Sequence, residues 1–159
     1  MRMIQPGDIL LYRPTLFSPF GWLIALKTWH WVSHCEAYLG SQMSVASRDG
    51  IGVNIYLLRT KGLTAVLRPR EYFDQPLALG WLGLRGIIGQ KYDWLGLLRF
   101  AWRKPVSPIV NENRQFCSEF LTRWCRAGGV EPFNGADADE IAPFQFLQSN
   151  AFRIIWRAE

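Results

Sequence analysis

The stretch SHCEAYLG, residues 33–40, decides the fold, because it reads as helix or as strand with opposite chemical consequences. On a helix His30 and His34 share a face and, with Cys35 and Glu36, could hold one metal ion. On a strand the two histidines lie about 13 Å apart at roughly 3.3 Å per residue and cannot. The Tyr-Leu-Gly end and the turn after it favour a strand. Successive strand side chains point to opposite faces, so Cys35 turns away from His34 toward a core, whereas Glu36, two residues on, shares His34's face. The expectation is no metal and no cofactor, a histidine with a carboxylate beside it, and a chemical partner for His34 from elsewhere in the chain.

Working outward, GDILLYRP (7–14) is a short apolar run closed by Pro14, which bounds a strand. PFGWLIALKTW (19–29) suits one or two helical turns. SQMSVASRDGIGVNIYLLR (41–59) reads as two strands around the turn-forming Arg48-Asp49-Gly50, which with the preceding strands makes an antiparallel meander. LTAVLRPREYF (63–73) adds a strand before Pro69, and residues 79–102 have helical apolar spacing punctuated by glycines. Residues 104–113, with two prolines and two asparagines, form a loop. RQFCSEFLTRWCRAGG (114–129) carries a helical apolar stripe at Phe116, Phe120, Leu121, Trp124 and Cys125, with Gly128-Gly129 as its stop. FRIIWRAE (152–159) is a last strand.

The 159 residues match one domain, residues 1–159, of α+β class, and 49 % hydrophobic with 14 % aromatic residues excludes a disordered chain. The net charge of +5 suits an anionic cell-wall polymer or a membrane surface without choosing between them. No run of like charges marks a specific nucleic-acid site, and nothing fixes the oligomeric state. Cysteines 35, 117 and 125 are odd in number and lack paired metal or disulfide spacing, which fits free thiols in a reducing compartment. The N-terminus lacks the apolar stretch of a secretory signal, and no unbroken run of about 18 apolar residues spans a bilayer. A cytoplasmic location is therefore expected, and it suits a bacteriophage-encoded protein as well.

Cys117 follows a polar loop and opens a predicted helix, where backbone N–H groups and the helix dipole lower a thiol's pKa. A nucleophile belongs there. A histidine from a nearby strand then completes a thiolate–imidazolium pair and protonates a leaving group, while N–H groups near Cys117 hold an oxyanion. Cys125, eight residues on, reads as a small buried hydrophobe. Glu119 reads as complementing the helix dipole, and Arg48 and Asp49 as turn residues.

GDILLYR, SHCEAYLG, KYDWLGLL (91–98) and FCSEFL (116–121), in that order, resemble the circularly permuted NlpC-type papain-like cysteine hydrolases, especially the YiiX/YebB-like group. The resemblance covers most of residues 6–128. Histidine precedes cysteine, as the permutation requires, and H-x-E-x-Y-x-G together with F-C-S-E-F is more specific than either alone. It implies a permuted papain-like fold, an antiparallel sheet or half-barrel packed against helices, one of which carries the nucleophile at its N-terminus. It also implies Cys117 as nucleophile, His34 as general base and acid, and Tyr92 as an oxyanion or site-lining residue. A third group that orients the histidine falls, by count from Gly40, on Ala46, which has no polar atom to offer. Glu36 is favoured for that role, with Ser44 and Ser47 as alternatives.

The activity so implied is that of a cysteine peptidase: cleavage of an amide through an acyl-enzyme, most typically in a peptidoglycan peptide. Two other readings stay open. One is a lipid esterase or acyltransferase of the lecithin–retinol acyltransferase type, using the same pair, with an acyl groove around Trp22, Trp29, Trp31 and residues 77–102 if those side chains do not simply pack the core. The other is a catalytically silent domain that holds glycan or nucleic acid.

Overall fold

The computed structural model describes residues 4–15, 19–93 and 115–158. Six strands, β1 (Ile9–Tyr12), β2 (His34–Gly40), β3 (Met43–Arg48), β4 (Gly52–Leu57), β5 (Leu63–Pro69) and β6 (Phe152–Arg157), form one antiparallel sheet in the order β4-β3-β2-β1-β5-β6. Among the described residues three helices accompany it, α1 (Pro19–Thr28), α2 (Gln75–Leu84) and α3 (Cys117–Ala127), together with short 3-10 turns at Ala138–Glu140 and Pro143–Leu147. The meander extends through β1 to β4. The chain then returns to lay β5 on the free side of β1.

β1 is an unbroken apolar run because both its faces are covered. Ile9 and Leu11 enter the main core beneath α3, while Leu10 and Tyr12 join Leu63 and Val66 on the opposite face. β2 splits its residues the same way: Cys35 and Ala37 lie in the main core, and Glu36 pairs across β1 with Leu10. The small side chains of Cys35 and Ala37 let α3 lie against β2, with Phe120, Leu121, Trp124 and Cys125 buried. This interior helical stripe fixes which end of α3 meets which end of the strand.

The turn between β3 and β4 runs from Arg48 to Gly52. Gly52 has φ +90°, and a Cβ there would collide with the carbonyl oxygen of Gln90, so only glycine fits. That approach lets Val53 N–H donate to Gln90 O at 2.9 Å and Gly89 N–H to Val53 O at 2.8 Å, which tethers the segment before Tyr92 to the hairpin. The expected C-terminal stop of α3 is realised with Gly129, not Gly128, in the left-handed region (φ +85°).

Of the helical stretch expected over 79–102, residues 94–102 lie outside the described residues. α2 ends at Leu84, and the chain turns through Gly86 and Gly89, both with positive φ. The loop expected at 104–113 and the second half of KYDWLGLL lie outside the described residues. Trp29 and Trp31 do not pack the core but stand 95 % and 69 % exposed. Among the described residues, no helix is long and apolar enough to cross a membrane.

Candidate active site

Cys117 is the first residue of α3. The residue before it, Phe116, adopts an extended conformation (φ −91°, ψ 171°) and offers no side-chain oxygen to cap the helix, so no cap side chain covers the N–H groups around Cys117. Only half a capping box forms: the Glu119 carboxylate accepts from Phe116 N–H at 3.4 Å. The start of α3 is held by its buried neighbour Gln115, whose N–H donates to Lys91 O and whose amide donates to Gln90 Oε1 at 3.0 Å, while its carbonyl accepts from Ser47 Oγ. Ser118 donates to the Ile141 carbonyl, fixing the first turn from the other side.

His34 is the first residue of β2, so its ring can reach past the strand end. Its Nε2 lies 3.0 Å from Glu36 Oε1, and the Cys117 side chain is near enough to act on the ring's charge. Glu36 is fully buried and heavily partnered. Ser44 Oγ donates to Oε2 at 2.6 Å, Arg48 Nε to Oε1 at 3.0 Å and Arg48 Nη2 to Oε2 at 3.1 Å, and Arg59 Nε stands 3.6 Å from Oε1. The arginines are themselves braced by aromatic rings, Arg48 over Tyr56 and Arg59 over Tyr12, at 3.9 and 4.4 Å.

Charge follows from these contacts. Burial alone would raise the Glu36 carboxyl, but the His34 hydrogen bond, Arg48 and Ser44 hold it down at about 2, so it is an anion at any physiological pH. Burial alone would lower His34, and its bonds to Cys117 and Glu36 outweigh that and raise it. Cys117 is driven well below the usual thiol range, first by a hydrogen bond from the Cys35 thiol and then, against burial, by His34, with the Cys35 backbone N–H adding to both. A sulfur pushed down and an imidazole pushed up are shifts in the direction that favours a thiolate–imidazolium pair.

In comparison with known proteins, the chain matches no family model and no curated sequence.

Several expected residues stand where the sequence put them and others do not. Tyr92 is buried with Ile24 and Phe116 beside the start of α3, and burial, then the Cys117 charge, lift its hydroxyl pKa. Ser44 and Ser47, the alternatives for orienting His34, do neither: Ser44 bonds the Glu36 carboxylate, and Ser47, on the opposite face, bonds Gln115. Arg48 is more than a turn residue, because it clamps Glu36, and Arg59 joins it without any local signal. Cys35 lies in the core, yet its thiol touches Cys117. His30 accepts from Val32 N–H at Nδ1 and stacks on Phe144, and among the described residues no three potential ligands form a metal set.

Glu119 departs from a simple dipole partner. It is 5 % exposed, and burial, opposed by Arg123, raises its carboxyl to about 7. An acid raised in the folded state contributes stability that is fully present below its unfolded pKa of 4.5 and is lost as pH rises through about 7. Glu119→Gln is therefore expected to match the parent below pH 4.5 and to exceed its stability by up to about 3 kcal/mol above pH 7. Urea melts at pH 4 and pH 8 check this, and equal differences at both would contradict it.

Proposed function

We propose that this protein is a cysteine hydrolase with a permuted papain-like, NlpC-type fold, cleaving an amide bond in a cell-wall peptide through an acyl-enzyme on Cys117. The observation that carries the reading is the gathering of three groups: a helix-opening thiol, an imidazole on whose charge it acts, and a buried carboxylate 3.0 Å from Nε2 of that imidazole. In the first half-reaction the Cys117 thiolate attacks the carbonyl carbon, and the carbonyl oxygen takes the negative charge beside the uncapped N–H groups of α3. The His34 imidazolium gives its proton to the amide nitrogen, the C–N bond breaks, the amine leaves, and a thioester remains. In the second, neutral His34 takes a proton from water, the resulting hydroxide attacks the thioester, and the acid departs as sulfur regains the electron pair. Glu36 stays ionised throughout and orients the ring, which makes it a positioning residue. Tyr92 closes the wall beside the sulfur.

The test is incubation with muropeptides and, separately, with ester lipids, following amine release and the mass of the Cys117 peptide. The expected result is free amine from muropeptides, a trapped thioester on Cys117, and a loss of about 10⁴-fold or more in Cys117→Ala. Turnover unchanged in Cys117→Ala, or no reaction with either substrate, overturns the reading. Product from ester lipids alone replaces the peptide with an acyl donor.

A further inference from the structure

A cavity of about 840 Å³ lies at the end of the sheet where β1 ends and β5 begins, the same end at which β2 starts with His34. Its apolar wall is built by Trp22 and Trp31, packed edge to face with centroids 6.1 Å apart, with Val32 and Leu147. Arg13, Lys61 and Arg157 stand around it, and among the described residues no carboxylate lines it. None of these three cations has an ion-pair partner among the described residues, whereas Arg48, Arg59, Arg68, Arg123 and Arg126 all do. Like charges gathered in this way repel one another, and an anion placed among them relieves that repulsion.

We propose that this cavity is a binding site for an organic anion, a carboxylate or phosphate carried on an apolar body. Its volume is within the range that encloses a small organic molecule, and its division into an apolar wall and a basic rim matches such a ligand in both parts. His30 extends the polar side: with Nδ1 accepting from Val32 N–H, Nε2 is left as a further donor, and burial followed by the Arg157 charge lowers the ring's pKa. Its lining residues are distinct from those of the proposed hydrolysis.

Calorimetry on Cys117→Ala separates the two, because that protein cannot turn over. The probes, all below their micelle concentrations, are laurate, dodecyl phosphate, dodecyl maltoside and inorganic phosphate. The expected result is binding of both anionic amphiphiles about tenfold tighter than the maltoside, as three modest ion pairs supply, and still weaker binding of phosphate alone. Arg13→Gln/Lys61→Gln/Arg157→Gln is expected to erase that tenfold preference while leaving the maltoside affinity unchanged, and Trp22→Leu to weaken all three tailed probes. Equal affinity for charged and uncharged tails, or a preference that survives the triple variant, overturns the proposal. So does binding only to phosphatidic acid vesicles, with none to the monomeric probes, which would assign the basic residues to a membrane surface.

Discussion

His34→Ala is expected to lower the rate at which iodoacetamide alkylates Cys117 at pH 6 by up to about 30-fold, and to move the midpoint of the rate's pH dependence upward, toward that of an ordinary thiol. An unperturbed thiol with a pKa near 8.5 is only about 0.3 % ionised at pH 6, so a sulfur already held as thiolate gains up to about 300-fold from ionisation. It gives back about tenfold, because nucleophilicity falls with pKa at a Brønsted slope near 0.4–0.5. Cys117 is only 1 % exposed, so the experiment also measures access. The variant leaves Glu36 with both arginines and Ser44, so the fold should persist, and an unchanged melting temperature establishes that the effect is chemical. Cys35→Ala is a separate arm. It removes the largest single contribution to the lowered Cys117 pKa, so it too raises the midpoint, but it leaves the imidazole in place to protonate a leaving group. A rate and midpoint unchanged in His34→Ala would show that the thiol and the ring are neighbours without a chemical relation.

What the sequence could disclose of this site follows from how local each signal is. β1 and β2 were legible because Gly7, Pro14 and Gly40 bound short apolar or alternating runs. Glu36 was legible because i and i+2 share a face on any strand. Arg48 was not, although it lies on β3: the register between β2 and β3 slips at Tyr38–Gly40, and counting from Gly40 lands on Ala46. Arg59 had no signal at all, since it reaches Glu36 through its stack on Tyr12, a residue 47 positions earlier. Cys35 was correctly directed to the core. That the core side of β2 is also where the first turn of α3 arrives is a tertiary fact that no strand periodicity contains. The exposure of Trp29 and Trp31 is of the same kind: composition counts large side chains but does not say which of them the core has room for.

The largest loss of stability is expected from Glu36→Gln, about 3 kcal/mol at pH 7, and two independent magnitudes agree on it. The carboxyl is lowered from 4.5 to about 2 in the folded state, and 2.5 pKa units at about 1.4 kcal/mol each give about 3 kcal/mol. Breaking a buried ion pair from one side costs about 3–5 kcal/mol, and here the lower end applies because Arg48 and Arg59 are 22 % and 34 % exposed and partly rehydrate. The sign is fixed by the direction of the shift. A depressed carboxyl contributes stability that is present in full above pH 4.5 and is lost as pH falls through about 2. The parent should therefore weaken across that acid window while Glu36→Gln stays level, and the two should converge near pH 2. Glu119 does not obscure this, because its contribution changes between pH 4.5 and about 7. The same variant should also lower the imidazolium's pKa, since a neutral amide no longer stabilises its charge, and so reduce turnover while leaving the Cys117 nucleophile present. A stability difference that is the same at pH 2.5 and pH 7 would mean that Glu36 acts by its shape, in which case the carboxylate is a core-filling group and His34 is oriented by something else.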